Sequence, residues 1–308
     1  MIVWNKVVFD LESFLRRSRL AGVLPIIRER FPGLHRRILQ TRDRLLPYKS
    51  TIPMERYQQR ALYKFLELAS KEQMLDTVLE IGSDLAGAVG QEMKEHGAQM
   101  VIGVNPLVGL EKSELAIPTN GFNHLLRSDA RWLPLKDGSV SSIFSVATFE
   151  HIYNLDIALD EMLRVLKPGG LLYSDFGPIW SSSVGHHVYA KVGEEEARHW
   201  KPDKNPVPHF GHLLYSADEL RAHLRSKTSQ ALLNAIIAWI YKENGINRLF
   251  YEDYFMIFEE SGFQIMEINE VYEHIDSTIE KTLQEIYNPY KEFRCRMIEI
   301  ILRKPMKE

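Results

Sequence analysis

The sequence predicts an α/β protein built on a doubly wound, mostly parallel sheet with helices on both faces. Two observations carry that expectation. From residue 77 onward, short runs rich in β-formers alternate with helical stretches, the order that right-handed crossovers turn into a parallel sheet. The polar and glycine-bearing segments of this region then fall directly after strands, the end of such a sheet where ligands collect. The chain has 308 residues, enough for one large domain with elaborations or for two small ones.

In chain order, residues 9–45 read as helical, with Leu11, Phe14, Leu15, Leu20, Leu24, Ile38 and Leu39 on an apolar face and arginines opposite. Pro25, Pro32 and Pro47 break this stretch into short pieces. A further helix spans 54–75, so residues 1–75 form a basic helical cap. Strands are expected at 77–81, 100–104, 122–126, 142–147 and 170–175, with helices at 84–96 and 154–166 between them. These make up a core over 76–175. Residues 176–260 interrupt the alternation with an aromatic- and histidine-rich loop, followed by helices near 217–242 and 251–260. They form a lid suited to binding a second substrate. In the last segment, 261–308, two more strands at 263–271 and 295–303 complete the sheet. Their connection, 272–294, is long and partly helical rather than the short turn that most simply sets up antiparallel pairing.

Composition narrows the function classes. Hydrophobic residues make up 45% and charged residues 26%, ordinary for a soluble globular chain. The single cysteine, Cys295, excludes an intramolecular disulfide framework and a thiolate zinc cluster, and it suits a reducing compartment. No apolar run approaches the ~20 residues of a bilayer span, and no signal core opens the chain, so a cytoplasmic protein is expected. The net charge of −3 conceals an asymmetry: residues 1–64 carry a net +9 and the remainder −12. The basic head can meet a membrane surface, a phosphorylated substrate or the acidic body itself.

Four features stand at informative positions. Glu80-Ile81-Gly82-Ser83 closes the first strand, and Gly82 allows a tight turn against a ligand. Asn105 ends the second strand, where a side chain can reach a ribose. Asp129-Ala130 follows the third strand and leads to Leu133-Pro134 and a turn at Asp137-Gly138. Lys167-Pro168-Gly169-Gly170 ends a helix ahead of the fifth strand. Thr148-Phe149-Glu150-His151 lies between the last two of these. The first loop lacks the G-x-G-x-x-G pattern that seats a diphosphate, so a nicotinamide dinucleotide is not expected.

This ordered set resembles the class I S-adenosylmethionine-dependent methyltransferases, in their type 11-like small-molecule subgroup, over roughly residues 77–175. The resemblance implies a Rossmann-like seven-stranded sheet with a reversed C-terminal hairpin, and S-adenosylmethionine as cofactor. It places Glu80, Gly82, Ser83, Asn105, Asp129, Ala130, Thr148 and His151 around that cofactor, with Asp129 at the adenine. The cofactor carries no phosphate, so the altered glycine loop is compatible with it. Asp or Glu is usual at position 105; asparagine can still engage a ribose diol, without charge assistance.

The donor methyl would face the loops after the fourth and fifth strands and the lid. Five of the chain's eleven histidines (186, 187, 199, 209 and 212) lie in that lid. A histidine can remove the proton of an acceptor hydroxyl, a step worth ~10²–10⁴-fold. His186 or His187 is assigned that role, with Asp175 orienting the ring. His151 would order the loop after the fourth strand. A metal held by His209-x-x-His212 with His186, His187 or Asp175 is the weaker reading, because Pro206 and Pro208 argue against a helix there, and no metal is assigned. Trp180, Tyr189, Trp200, Phe210 and Tyr215 either wall the acceptor pocket or fill the core beneath it.

The expected function is O-methylation of a small molecule, foremost a sugar or glycan-precursor hydroxyl, with a phosphorylated or lipid-linked sugar suiting the basic head. The alternatives are C- or N-methylation of a natural product or lipid-like acceptor, and a non-catalytic partner protein motivated by Asp84, Ala86 and Asn105. Nucleic acid is not an expected partner, since the body is acidic and no recognition motif occurs.

Overall fold

A computed structural model describes residues 56–83, 87–107, 121–243 and 245–306. The basic helices expected over 9–45 lie outside the described residues, as do Asp84 and Ala86. The sheet has seven strands: β1 (Thr77–Ile81), β2 (Met100–Val104), β3 (His124–Leu126), β4 (Val140–Val146), β5 (Leu166–Phe176), β8 (Gln264–Tyr272) and β9 (Cys295–Arg303). Their spatial order is β3-β2-β1-β4-β5-β9-β8. The first five pair in parallel, with Leu79 opposite both Ile102 and Ile143. β9 runs antiparallel between β5 and β8, Tyr173 facing Ile301 and Ile268 facing Ile300. The chain winds outward from β1 to β3, returns to β4 and winds the other way. The β1/β4 junction is therefore the switch point where such sheets open a crevice.

The antiparallel pairing of β8 and β9 forms across a long connection, 272–294. Part of that connection is the helix Ser277–Ile286, capped by Asp276, whose carboxylate accepts from the backbone N–H of Thr278 and Ile279. The pairing follows from β9 itself. Ile298, Ile300 and Leu302 pack into one face and Ile301 into the other, so the strand has buried apolar positions on both faces and suits an interior place in the sheet.

One face of the sheet is covered by helices α1 (Arg56–Lys71) and α2 (Ala88–Glu95). Ala61, Leu62, Phe65, Leu66 and Ala69 recur at helical spacing on α1 and are buried against Val78, Phe144 and Tyr173. The cap expected over 1–75 thus yields its last helix to the core, and the division between compact units falls between Pro53 and Met54. The other face is covered by α3 (Leu155–Val165) and α7 (Tyr251–Glu260).

Residues 180–250 build a third cluster, joined by Ile275, Leu283 and Phe293 from the β8–β9 connection. It contains a two-stranded hairpin of β6 (Tyr189–Val192) and β7 (Glu195–Arg198), then α4 (Gly211–Leu214), α5 (Ala217–Leu224) and α6 (Gln230–Tyr241). The sequence reading has no hairpin there and one helix over 217–242. Ser229 divides that helix by capping α6, its hydroxyl accepting from the Leu232 N–H. The Lys167–Gly170 stretch also differs: the helix stops at Val165, and these residues form the irregular start of β5, where the register with β4 shifts between Val140 and Ser142. No described helix is long and apolar enough to cross a membrane.

The α1 face provides a direct test of this packing. Phe65 is fully buried, with ring centroids 5.2 Å from Phe144 and 6.2 Å from Tyr173. Phe65→Ala is expected to lower the unfolding free energy by about 3–5 kcal/mol in urea titration. A change below about 1 kcal/mol would mean that α1 is not part of the cooperative core.

Candidate functional site

A cavity of about 370 Å³ opens at the carboxyl ends of β1, β2 and β4, in the size range of a small-molecule site. Ile81, Gly82, Val104, Asn105, Asp129 and Thr148 are among its lining residues. Its floor depends on one close approach. Gly82 has φ +76°, and a Cβ added there would lie 2.1 Å from Thr148 Oγ1. The Gly82 and Ser83 N–H groups both donate to the Val104 carbonyl, at 2.9 and 3.1 Å, which turns the chain sharply away from the sheet.

The residues expected around a cofactor fall into two groups. Gly82, Asn105, Asp129, Ala130, Thr148 and His151 line the cavity. Glu80 and Ser83 are buried beside it, and the Ser83 hydroxyl meets no hydrogen-bond partner among the described residues. Asn105 donates through Nδ2 to the Ser83 carbonyl at 2.9 Å and accepts through Oδ1 from the Leu107 N–H at 2.8 Å. An acidic residue could not make the first of these bonds. The asparagine therefore joins the loops after β1 and β2, while one N–H and one lone pair remain for a ligand.

Asp129 is engaged by Arg131, a residue the sequence reading passed over. Arg131 Nε and Nη2 reach the two carboxylate oxygens, each at 2.9 Å, and the Arg131 N–H adds a third bond to Oδ1. These contacts hold the Asp129 carboxyl below its usual range, with the side-chain bond to Arg131 the main cause. Oδ2 accepts only one of the three bonds, so it retains a lone pair for an amino group. Ser83, Asn105, Asp129 and the bare Gly82 backbone make a polar, close-fitting surface consistent with a nucleoside carrying an amino-acid tail.

The loop after β4 carries the more reactive chemistry. A short 3-10 turn, Phe149–His151, begins after Ala147, which has φ +48°. Residues 245–247 brace it from the lid. His151 Nδ1 lies 2.5 Å from the Gly245 carbonyl, Tyr153 donates to the Ile246 carbonyl at 2.6 Å, and Asn247 Nδ2 donates to the Phe149 and Ile152 carbonyls. Asn247 and Tyr153 had no local sequence signal, because their partners lie about ninety residues away. Glu150 is fully buried, and its Oε1 accepts from the Gly177 N–H at 3.2 Å. Burial pushes the Glu150 carboxyl up to about 7, against the pull of neighbouring His151. His187 approaches the same point, its ring 4.9 Å from that of His151, and its Nε2 lies 2.5 Å from the Pro178 carbonyl. Burial, then His199 and His151, hold His187 well below the ordinary imidazole range.

The other lid histidines sit elsewhere. His186 is fully buried; its Nδ1 accepts from the Val188 N–H, and its ring neighbours His212 at 5.2 Å rather than the cavity. His212 Nε2 donates to the Trp180 carbonyl at 2.8 Å. Asp175 is directed to the α1 side of the sheet, where Arg60 Nη2 lies 3.5 Å away. Burial raises its carboxyl to about 6, with Arg60 opposing. It contacts neither His186 nor His187 by hydrogen bond. His199 and His209 line a second cavity of about 500 Å³, together with Trp200, Lys227, Glu273 and Arg296. Of the aromatic residues expected to wall an acceptor pocket, Trp200 lines this cavity, whereas Trp180 and Phe210 are buried in the lid's own core.

Two substitutions test the first cavity. Asp129→Ala is expected to weaken binding of S-adenosylmethionine, the cofactor the motif order implies, by roughly 10–100-fold, since hydrogen bonds to a charged group contribute about 1.5–3 kcal/mol. Gly82→Ala is expected to weaken it at least as much, through both the positive φ and the clash with Thr148. Titration calorimetry reads both, and unchanged affinity in either variant would remove that residue from the site.

Residues 79–174 match the protein family described as "Methyltransferase domain". Over 54 residues the chain is 50% identical to the malonyl-[acyl-carrier protein] O-methyltransferase of Methylococcus capsulatus, an overlap of 17% of this chain and 20% of that protein. Over 102 residues it is 34% identical to malonyl-[acyl-carrier protein] O-methyltransferase 1 of Coxiella burnetii, covering 33% of this chain and 34% of that protein. The chain thus spans about a fifth and a third of the lengths of these two relatives. Among solved structures, an S-adenosylmethionine-dependent methyltransferase from Mesorhizobium loti is 16% identical, with a TM-score of 0.44 over 79% of this chain and 97% of that one. The family match runs from within β1 to within β5 and takes in the loops that line the cavity. Residues 79–174 of this chain are thus similar to a methyltransferase domain, and the seven-stranded order around them is doubly wound with an antiparallel final pair.

Proposed function

We propose that the whole protein is an S-adenosylmethionine-dependent O-methyltransferase that acts on a hydroxyl of a small molecule, foremost a sugar or glycan precursor. The supporting observation is the group Glu150, His151 and His187 at the edge of the first cavity. The Nδ1 of His151 and the Nε2 of His187 each face a backbone carbonyl, so each bears the proton and each ring's other nitrogen carries the lone pair. An acceptor hydroxyl is a weak nucleophile until its proton leaves, and this group assists that loss. The acceptor oxygen then forms a bond to the methyl carbon in line with the departing sulfur, yielding S-adenosylhomocysteine and an ether.

Within this reading, Gly82, Asn105 and Asp129 hold the cofactor, while His187 takes the catalytic place for which His186 and Asp175 are less suited by their surroundings. The second cavity is the acceptor's route, with Trp200 offering a flat surface for a sugar ring. A phosphorylated or lipid-linked sugar also accords with the basic charge of residues 1–64. A cytoplasmic site of action accords with the single cysteine.

A second reading is favoured by Lys227 and Arg296 in the second cavity. They suit an anionic acceptor, and the curated relatives are named for a malonyl group on a carrier protein. A carboxylate attacks without losing a proton, and its product is an ester.

The two readings separate by the alkali stability of the product. Purified protein is incubated with methyl-labelled S-adenosylmethionine and either hydroxylated sugars or a malonyl-carrier thioester. An alkali-stable labelled ether is the expected result. Alkali-labile ester on the malonyl acceptor alone would replace the first reading with the second. Label on carbon or nitrogen, or no binding of the cofactor at millimolar concentration by folded protein, would overturn both.

A further inference from the structure

We propose that Glu150, His151 and His187 form a binding site for one divalent transition-metal ion, of the Zn²⁺ or Mn²⁺ class, at the edge of the cofactor cavity. Its catalytic consequence, though not the site itself, rests on the O-methyltransferase reading.

Three independent features converge. One donor atom from each residue lies within 4.8 Å of the others. The two imidazoles are already fixed in the tautomers that ligation needs. His151 donates through Nδ1 to the Gly245 carbonyl at 2.5 Å, and His187 donates through Nε2 to the Pro178 carbonyl at 2.5 Å. Metal-bound histidines characteristically donate their second ring N–H to a carbonyl or carboxylate in this way, which orients the ring and raises its basicity. The third feature is the carboxylate. Glu150 is fully buried, Oε1 accepts from the Gly177 N–H, and Oε2 has no hydrogen-bond partner among the described residues. A buried carboxylate oxygen without a donor is unfavourable, and a cation removes that penalty.

The backbone supports the same conclusion. His187 is held at φ +48°, a region that side chains other than glycine rarely occupy. The conformation persists because surrounding structure enforces it, and it brings the ring to Glu150 and His151 while its other side packs 4.5 Å from His199 of the lid. Bonds of ~2.1 Å hold ligand atoms roughly 3–3.5 Å apart, so the three side chains draw together by about an ångström on binding.

The donor set selects the ion. Two imidazole nitrogens and one carboxylate oxygen suit Zn²⁺, Mn²⁺, Co²⁺ or Fe²⁺, whereas Mg²⁺ and Ca²⁺ prefer oxygen alone. Three protein ligands leave positions open for an exogenous oxygen. Glu150 and His187 are buried, but His151 is exposed and lines the cofactor cavity, so those positions face the substrate. With the ion bound, the His151 and His187 lone pairs are ligands and no longer accept the proton; an acceptor hydroxyl coordinated there ionises more readily instead, its proton passing to solvent. Its oxygen then bonds to the methyl carbon as the carbon–sulfur bond breaks; the sulfonium charge and the oxygen's negative charge cancel.

The experiment begins with full-length protein dialysed against a chelator and then against metal-free buffer. Titration with ZnCl₂ and MnCl₂ is followed by calorimetry, and titration with CoCl₂ by visible absorption. One equivalent of ion bound at micromolar concentration or tighter is expected. His187→Ala and the nearly isosteric Glu150→Gln should each weaken binding at least ~100-fold, whereas His209→Ala, outside the cluster, should leave it unchanged. No binding at 1 mM ion by protein with native circular dichroism would overturn the proposal, as would unchanged affinity in both cluster variants. Methyl transfer that persists at full rate in chelator would refute the metal's role and leave the transferase reading intact. Ion binding without transfer to any acceptor would support the site and refute the transferase reading instead.

Discussion

The bare α-carbon of Gly82 against the side chain of Thr148 is the contact on which the site's geometry depends. It brings the loop after β1 to within van der Waals distance of the loop after β4, and these are the two strands at which the sheet reverses its winding. With a side chain at position 82 the two loops would stand apart, and the cavity between them would lose its floor. The same turn presents the Gly82 and Ser83 N–H groups to the Val104 carbonyl and so ties in β2 as well. Asn105 adds a second tie between the same two loops by donating to the Ser83 carbonyl. The ends of β1 and β2 are thus joined by hydrogen bonds and that of β4 by van der Waals contact before any ligand arrives, which reduces the ordering that binding requires.

From this floor the structure builds upward through the loop after β4. That loop is not self-supporting. Its carbonyls are held by Asn247, its tyrosine by Ile246 and its histidine by Gly245, all from the segment that leaves α6. The lid in turn anchors itself near the cluster, since Trp239 donates to the His186 carbonyl at 3.0 Å. The lid and the loop after β4 therefore share hydrogen bonds, and displacement of one strains the other. Glu150, fully buried, is placed by the two together, through the Gly177 N–H and the Asn247 N–H that grasps its own carbonyl.

Much of the architecture was legible along the chain. The bounds of β1, β2 and β9 agree with the sequence expectation, and the other strands differ by a few residues at their ends, because their signals are local: apolar β-formers bounded by turn residues. Gly82, Asn105, Asp129, Ala130 and Thr148 could be expected near one another because each stands within a few residues of a strand end in a fixed motif order, and all five line the first cavity. The hairpin of β6 and β7 was not legible. Its polar faces, Glu195-Glu196 and Lys191 among them, carry little apolar alternation, and its pairing is supported by contact with α6. The start of β5 was misread for a related reason: Pro168 and the paired glycines resemble a stop signal, yet a strand can admit them where its ladder is already irregular.

The sequence by itself determined the α/β class, the alternation of strands and helices and the loops that follow the strands, since strand and helix periodicity, turn residues and their spacing are properties of neighbours along the chain. Only the tertiary structure decided which histidines meet. Residues 151 and 187 stand thirty-six positions apart, and the adjacent pair 186 and 187 diverge, one ring turning to His212 and the other packing between His199 and the pair Glu150 and His151. The left-handed backbone at His187 makes that separation, and long-range packing stabilises it. Asp175 likewise belongs to Arg60 because strand alternation turns its side chain to the α1 face. The position of a residue in the sequence can indicate its strand end or loop; the partners of a buried polar group depend on how distant segments pack around it.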